Sequence, residues 1–464
     1  MIRAYRDTIF LPALYIIPFF KKLGIDSAVS FTVLARVWQG IAGILTIWII
    51  ARFLSPEEQG FYFTFASILS LQVFVELGLS MVLLQFASHE KAHLQWTESE
   101  ILSGNQIAKE RLSSLVRLTI KWYAIASLLV ILCVLPAGYH FFLKNQVKYS
   151  GVIWQLPWIF LILSFSMFFL VTPFLSILEG CGKVKDVAKL RFKQGIIANL
   201  LLWIGLVAGW GLFAASLVYI GGFVVIAYWM GNAWRKDFFK DMLTLKAKQG
   251  IKISWRQEIF PFQWKIALSW ISGFFIFALF NPVLFAYHGA KIAGQMGLTL
   301  AAYNGITTIS MAWINTKIPA FGGFIAKKEF NKLDSLFFRV LRQSLAVVVL
   351  LTIIFIGIVY LLQTTQHPIG DRFSPGLPIL LLGSVTIINH IVFAQAAYLR
   401  AHKQEPLLVN SVVGAVLIGL STYFLGKWYG VLGITSGYFI LTLLGLGWVT
   451  MIFNIKRRLW HRNI

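Results

Sequence analysis

In the stretch "ARVWQGIAG", Arg36, Gln39, Gly40 and Gly43 fall at i, i+3, i+4 and i+7. On a helix they form one stripe of cation, amide and small residues. A second stripe is made by Gln72, Glu76 and Ser80. A guanidinium offers two parallel donors to an anion, and a carboxylate within apolar surroundings can carry a proton or a sodium ion. These residues suit recognition and ion carriage rather than bond breaking. At 1.5 Å of rise per residue, Arg36 lies about 8 Å and Glu76 about 15 Å inside the nearer end of its apolar run. Arg36 can pair with Glu76, snorkel toward the headgroups, or meet an anionic ligand, and all three readings remain open.

Two later runs carry comparable faces. Lys265, Ser269 and Ser272 share one, with Gln263 nearby; Asn304, Thr308 and Asn315 share another, with Lys317 at its end. Taken singly, each is explained at least as well by helix packing as by ligand contact; together they make a polar lining. His390, beside Asn389, reads as a packed histidine. Cys133 and Cys181 match no metal or redox spacing and read as small buried hydrophobes. No metal site and no cofactor is expected.

The elements that must position these residues follow from composition. The chain is 58% hydrophobic and only 13% charged, which excludes an ordinary soluble domain. About twelve stretches are long enough to cross a bilayer: 31–53, 60–86, 116–138, 152–178, 194–211, 212–231, 258–282, 292–316, 340–362, 375–399, 406–425 and 430–455. Gly and Pro inside them suit packed membrane helices, and the alternation of a membrane β-barrel is missing. The expected fold is an all-α integral membrane protein of about twelve transmembrane helices in two six-helix lobes.

The charge distribution orients it. Of 41 Lys and Arg residues, 34 fall at the two termini and in or beside every second loop. The positive-inside rule then places both termini, N-in and C-in, on the cytoplasmic side. Nucleic acid is not an expected partner, because the excess charge follows the loops instead of forming a stripe with interleaved aromatics. Membrane lipids are expected to meet the basic loops. The divisions are residues 1–30, an interfacial N-terminal segment; 31–231, an N-lobe of six helices; 232–257, a basic cytoplasmic linker; 258–455, a C-lobe of six; and 456–464, a basic tail. Residues 9–20 are expected to lie along the interface uncleaved, since Pro12 and Pro18 interrupt the run.

The segment "ARFLSPEEQGFYFTF" reads as an external hairpin, with Pro56 and Gly60 breaking the helix. A weak internal match lays "LSPEEQGFYFTF" over "HGAKIAGQMGLTL", bringing Gly60 onto Gly294 at an offset of 234 residues. The hairpin, the following "ELGLSMVLLQFAS" (Glu76–Ser88), and the turns "LEGCGKVKDVAKLRF" and "AYLRAHKQEPLLVNSVVG" resemble those of the polysaccharide-biosynthesis, Wzx-like flippases. These belong with the MATE exporters in one superfamily. The resemblance spans nearly the whole chain and implies a two-lobed transporter in the bacterial cytoplasmic (inner) membrane. Its ligand would be a polyprenyl-pyrophosphate-linked oligosaccharide, carried to the outer leaflet by alternating access. It also implies, as partners, the polysaccharide polymerase and glycosyltransferases of the same pathway. The related lipid II flippases usually carry two further helices, for which there is no room here.

On this reading Arg36, Gln39, Gln72, Glu76, Gln263, Lys265, Asn304, Asn315 and Lys317 line the substrate cavity, Arg36 meets the pyrophosphate, and Glu76 is the candidate for ion coupling. An enzyme is not expected: the chain has no P-loop, no HExxH helix and no GxSxG elbow. A MATE-like ion-coupled exporter of small or drug-like solutes is the alternative on the same fold. Against it stands the balance of Arg36, Lys265 and Lys317 over essentially one intramembrane acid, which favours an anionic substrate.

Overall fold

The computed structural model describes residues 27–98, 100–145, 151–231, 234–245, 251–402 and 404–462; the expected interfacial segment at 9–20 lies outside them. Long apolar runs become helices because hydrocarbon offers no other partner to backbone N–H and C=O groups. The first is α1 (Ser27–Phe53). Ser55 then caps α2 (Pro56–Leu69): its Oγ accepts from the Glu58 N–H at 3.1 Å, while the Glu58 carboxylate accepts from the Ser55 N–H at 2.8 Å. Pro56 supplies the first helical residue, where no N–H is needed. Gly60, expected to break the helix, lies inside α2. The break falls before it, at residues 54 and 55.

The second span is discontinuous. After α2 come a 3-10 turn at Ser70–Gln72, the single turn α3 (Val73–Glu76) and α4 (Leu79–Lys91), bent by 43°. At the break Leu77 and Gly78 both have left-handed backbone, with φ of 52° and 66°. Glycine adopts this readily, whereas leucine there is strained. Glu76 is the last residue before the break.

Helix α5 (Gln106–Leu129) starts on Asn105, whose Oδ1 accepts from the Ile107 and Ala108 N–H groups. It runs through a π-turn at Val130–Val134 into α6 (Leu135–Asn145), where Pro136 lacks a helical donor. Then follow α7 (Gln155–Gly180), α8 (Val184–Val207), α9 (Ala214–Met230) and the short α10 (Trp234–Thr244). The second half contains α11 (Phe260–Phe277), α12 (Phe280–His288), α13 (Ala290–Asn315), α14 (Ile318–Ala326), α15 (Phe330–Thr364) and α16 (Leu377–Ala401). The last, α17 (Leu408–Arg462), turns back at Gly430, with φ of 60°.

Among the described residues nine helices are long and apolar enough to cross a membrane, or ten with the bent pair. Counting the more polar α13 and dividing α17 at Gly430 recovers the twelve expected spans. Two details depart from expectation. A two-stranded antiparallel hairpin, β1 (Leu94–Trp96) with β2 (Leu102–Gly104), occupies the basic loop before α5. The Trp96 indole donates to the Cys181 carbonyl at 2.8 Å and pins the hairpin to the α7–α8 turn. Cys181 is buried, as expected, but Cys133 is exposed on the flank of the π-turn.

The two halves of the chain meet at both ends. On the face away from the basic loops, α2 packs along α13. A Cβ on Gly60 would lie 1.9 Å from the Ala290 carbonyl oxygen, and one on Gly294 would lie 2.8 Å from the Gly60 nitrogen. The Gln59 amide donates to the carbonyls of Gly294 at 2.8 Å and Arg372 at 3.0 Å. Phe285 inserts edge-on against Phe61 and Phe142. Burial pushes the Arg372 guanidinium down, against the field of Glu57 and Glu58 in the other half.

On the basic face Arg111 of α5 reaches Glu90 at 2.8 Å and Glu258, at the head of α11, at 2.6 Å. Trp122 stacks on Trp255, with ring centroids 5.4 Å apart. The connecting segment is itself docked: the Ser113 hydroxyl is 2.6 Å from the Met242 carbonyl, and Lys109 pairs with Asp241 at 2.9 Å.

Candidate functional site

Helices α1 and α8 pack side by side, and both run inward from the basic face. With the break after Glu76 and the polar flank of α7, they enclose a cavity of about 420 Å³. Its polar lining is Gln39 from α1, Glu76 and Ser80 from the broken span, Thr172 and Ser176 from α7, and Arg191 and Gln194 from α8. The break explains how Glu76 enters. An unwound turn redirects the chain between two helix axes and leaves the carboxylate at the end of one of them.

Glu76 is buried, and its Oε1 accepts from the Ser80 hydroxyl at 2.7 Å and the Tyr123 hydroxyl at 3.2 Å. The two hydroxyls satisfy this oxygen of the buried carboxyl group. Arg36 is exposed on α1, and no ion pair joins it to Glu76, so the Ser80 and Tyr123 hydroxyls stand where the sequence offered a salt bridge. Arg191 is half-exposed and bonded to Glu179 at 2.9 Å.

Arg191, Gln194 and Gly195 repeat the spacing of Arg36, Gln39 and Gly40. The two Arg-x-x-Gln-Gly segments lie on adjacent helices, and a Cβ on Gly195 would come within 3.9 Å of the Trp38 ring. Gln39, Arg191 and Gln194 line one cavity, and Arg36 stands one turn from Gln39, toward the basic face. Sequence reading missed Arg191, Gln194 and Tyr123. The repeated segment was the available signal for the first two, but it straddled the expected start of a span at 194, with Arg191 on the side read as a basic loop.

A second, apolar cavity of about 320 Å³ opens between α1, α13 and α15. Gly43, Ile47 and Ala51 contribute from α1, Gly305 and Ile309 from α13, and Ile354 and Ile358 from α15. Gly40 abuts Ile309, 3.2 Å from where a Cβ would stand, so the small residues of the α1 stripe let α13 approach. Gln39 in the polar cavity and Gly43 in the apolar one are one turn apart, about 6 Å along the axis.

The other expected cavity residues are dispersed. Gln72 sits half-buried in the 3-10 turn, its Oε1 without a partner. Gln263 is buried and accepts from the Trp255 indole at 3.0 Å, a packing role at the basic face. The Lys265 side chain lies outside the described residues. Asn304 is exposed toward a third cavity in the second half, with Asn389 and Tyr438. Asn315 closes α13 half-buried, and Lys317 is exposed beside it at the basic end. His390 is buried, its Nε2 2.8 Å from the Ser344 hydroxyl. Among the described residues no cluster of three or more His, Cys, Asp or Glu could hold a metal ion.

No protein-family profile matches the chain, and no curated protein matches it in sequence. Its likeness to known proteins is one of fold. The structure is similar to DinF-BH, a MATE multidrug transporter in complex with R6G. The TM-score is 0.60 at 12% identity, covering 94% of this chain and 96% of that one. It is also similar to an inward-facing multidrug-resistance MATE transporter of the MOP superfamily, with a TM-score of 0.58 at 14% identity, covering 93% and 99%. A third similar structure is the lipid II flippase MurJ in an inward closed conformation, at 0.53 and 14% identity, covering 92% and 87%. The chain is thus an all-α, multi-span membrane protein with the fold shared by MATE transporters and MurJ.

Proposed function

We propose that the protein is a transporter, not an enzyme, that moves a polyprenyl-pyrophosphate-linked oligosaccharide across a bacterial cytoplasmic membrane by alternating access. The observation that carries this reading is the junction on α1, where Gln39 of a polar, arginine-bearing cavity stands one turn from Gly43 of an apolar groove. An amphiphile with an anionic head and a hydrocarbon tail needs both environments side by side. Guanidinium groups from paired segments suit a diphosphate, because each presents planar donors to its oxygens. The groove between α1, α13 and α15 takes isoprenoid chain and leaves it in contact with lipid.

Alternation requires that one side open while the other closes. The glycine contact between α2 and α13 closes the face away from the basic loops, and the ties of Arg111 must yield if the basic face is to open wider. The glycosyltransferases that build the glycan and the polymerase that extends it are the partners of this reading.

The test is leaflet location. Deleting the gene, in cells with no second flippase, is expected to leave lipid-linked glycan on the cytoplasmic side. The intact gene restores its transfer, and an Arg36→Ala variant of equal abundance does not. An unchanged distribution after deletion overturns the proposal.

A second reading, an ion-coupled exporter of small or drug-like solutes, is favoured by one observation, the buried Glu76 carboxylate facing the polar cavity. Gradient-dependent efflux of a cationic dye, abolished by Glu76→Gln, would select it.

A further inference from the structure

The third cavity, of about 230 Å³, differs in chemistry from the other two. It lies within the second half of the chain, among α11, α12, α13, α16 and α17. Among the described residues, tyrosine is the only ionisable type in its lining. The hydroxyls of Tyr303, Thr307 and Thr386 in its lining donate to backbone carbonyls, which leaves Asn304, Asn389 and Tyr438 as its polar groups for a ligand, with the rings of Phe277, Phe280 and Phe393 among them. The Asn389 amide donates to the Tyr438 hydroxyl at 3.0 Å. With that bond made, the Tyr438 O–H and the Asn389 carbonyl oxygen retain a donor and an acceptor, and the exposed Asn304 amide offers both. Phe280 holds Tyr438 by an edge contact of 5.0 Å, fixing where the hydroxyl points. Neighbouring residues divide the surroundings: Asn304 lines this cavity, and Gly305 lines the apolar groove.

We propose that this cavity is a subsite for an uncharged sugar ring of the lipid-linked substrate, held by Asn304, Asn389 and Tyr438 between aromatic faces. The inference rests on the transport reading above and adds the part of the substrate which that reading left unplaced. Hydroxyl groups both donate and accept, as amides and a phenol do, while the C–H faces of a pyranose pack on aromatic rings. The lack of charge among the described lining residues disfavours acidic sugars and small ions. The volume is below the roughly 300 Å³ at which drug-sized sites begin, so it takes one ring and not an oligosaccharide. The three cavities then match three chemistries: Arg191 and amides for the diphosphate, hydrocarbon for the isoprenoid, amide and aromatic groups for the sugar.

Binding to the full chain in lipid nanodiscs tests this, with two probes: the lipid-linked glycan extracted from cells of the same organism lacking the gene, and bare polyprenyl diphosphate. The parent is expected to prefer the glycan-bearing lipid. Combined Asn389→Leu and Tyr438→Phe substitution is expected to weaken that lipid's binding about tenfold and leave bare diphosphate binding unchanged. Asn304→Ala, on an exposed side chain, is expected to reduce the preference in the same direction without disturbing packing, and it decides the matter if the double variant fails to fold. Equal binding of the two probes by the parent, or a preference that survives in the variants, overturns the subsite and leaves the transport reading standing. Binding of neither probe overturns both.

Discussion

Gly60 and Gly294, 234 residues apart in the chain, touch across the boundary between its two halves. A Cβ on Gly294 would lie 2.8 Å from the Gly60 nitrogen. Each belongs to the helix that follows the first turn of its half on the face away from the basic loops. The internal match had paired these two glycines in sequence, and the fold brings them together in space. Side chains at this crossing would hold the helices apart.

Gly60→Ala is therefore expected to favour the state in which this face is open. The added methyl would stand 1.9 Å from the Ala290 carbonyl oxygen, a backbone atom that only a shift of the helix can move. The buried Ser67, whose hydroxyl accepts from the Asn281 amide across the boundary, reports on it. Replaced by cysteine, it should react with an impermeant maleimide about tenfold faster in the Gly60→Ala background, a shift of about 1.4 kcal/mol. Unaltered reactivity would remove the glycine pair from the gate.

Arg36→Ala separates structure from function. The side chain is exposed and has no ion pair with Glu76, so its removal should alter stability by no more than about 0.5 kcal/mol. Transfer of lipid-linked glycan should fall at least tenfold, on the order of the loss of one charged hydrogen bond. Loss of abundance in place of loss of transport would mark Arg36 as a structural residue.

Tyr123→Phe removes a hydroxyl bonded to the Glu76 carboxylate. The expected cost is about 1 kcal/mol in thermal unfolding, because the Ser80 bond remains. If Glu76 carries a coupling ion, the same variant should change the dependence of transport on the ion gradient. Glu76→Gln should abolish that dependence. Gradient dependence retained in Glu76→Gln would exclude this carboxylate as the carrier.

The tie at the basic face depends on pH. Burial opposes the charge of Glu258, yet hydrogen bonds from Arg111 and from the Ser254 N–H hold its carboxyl below the usual carboxylate range. Its stabilisation is complete above the ordinary glutamate value of about 4.3 and is lost as pH falls through the lowered value in the folded protein. Glu258→Gln should melt below the parent at neutral pH, with the gap closing in acid. A gap of constant size from pH 7 to strong acid would show that Glu258 titrates alike in both states.

The spans were legible because each is a long apolar run, and hydrocarbon allows such a run little besides helix. What lies inside a span was less legible. The break at Leu77 and Gly78 is written in residues as apolar as their neighbours, so hydropathy passes over it, though it decides where Glu76 points. Gln263 and Asn304 looked equivalent as intramembrane amides. Packing separates them: Gln263 is covered by Trp255, and Asn304 opens on a cavity. Arg191 was hidden by its surroundings, since positive charge near a span end reads first as topology. Only its repetition of the Arg36 spacing marks it out, and only contact between α1 and α8 gives that repetition meaning.

The two native thiols have a further consequence. Cys181 is buried at the α7–α8 turn, and burial pushes its thiol up to about 12, so it stays protonated and unreactive at neutral pH. Cys133 is exposed, but on the apolar flank of a membrane span, where hydrocarbon replaces water and keeps water-borne reagents away. To water-borne thiol reagents the native chain is chemically silent. A cysteine introduced at the gate would answer alone, and its rate of reaction would time the opening of the two halves.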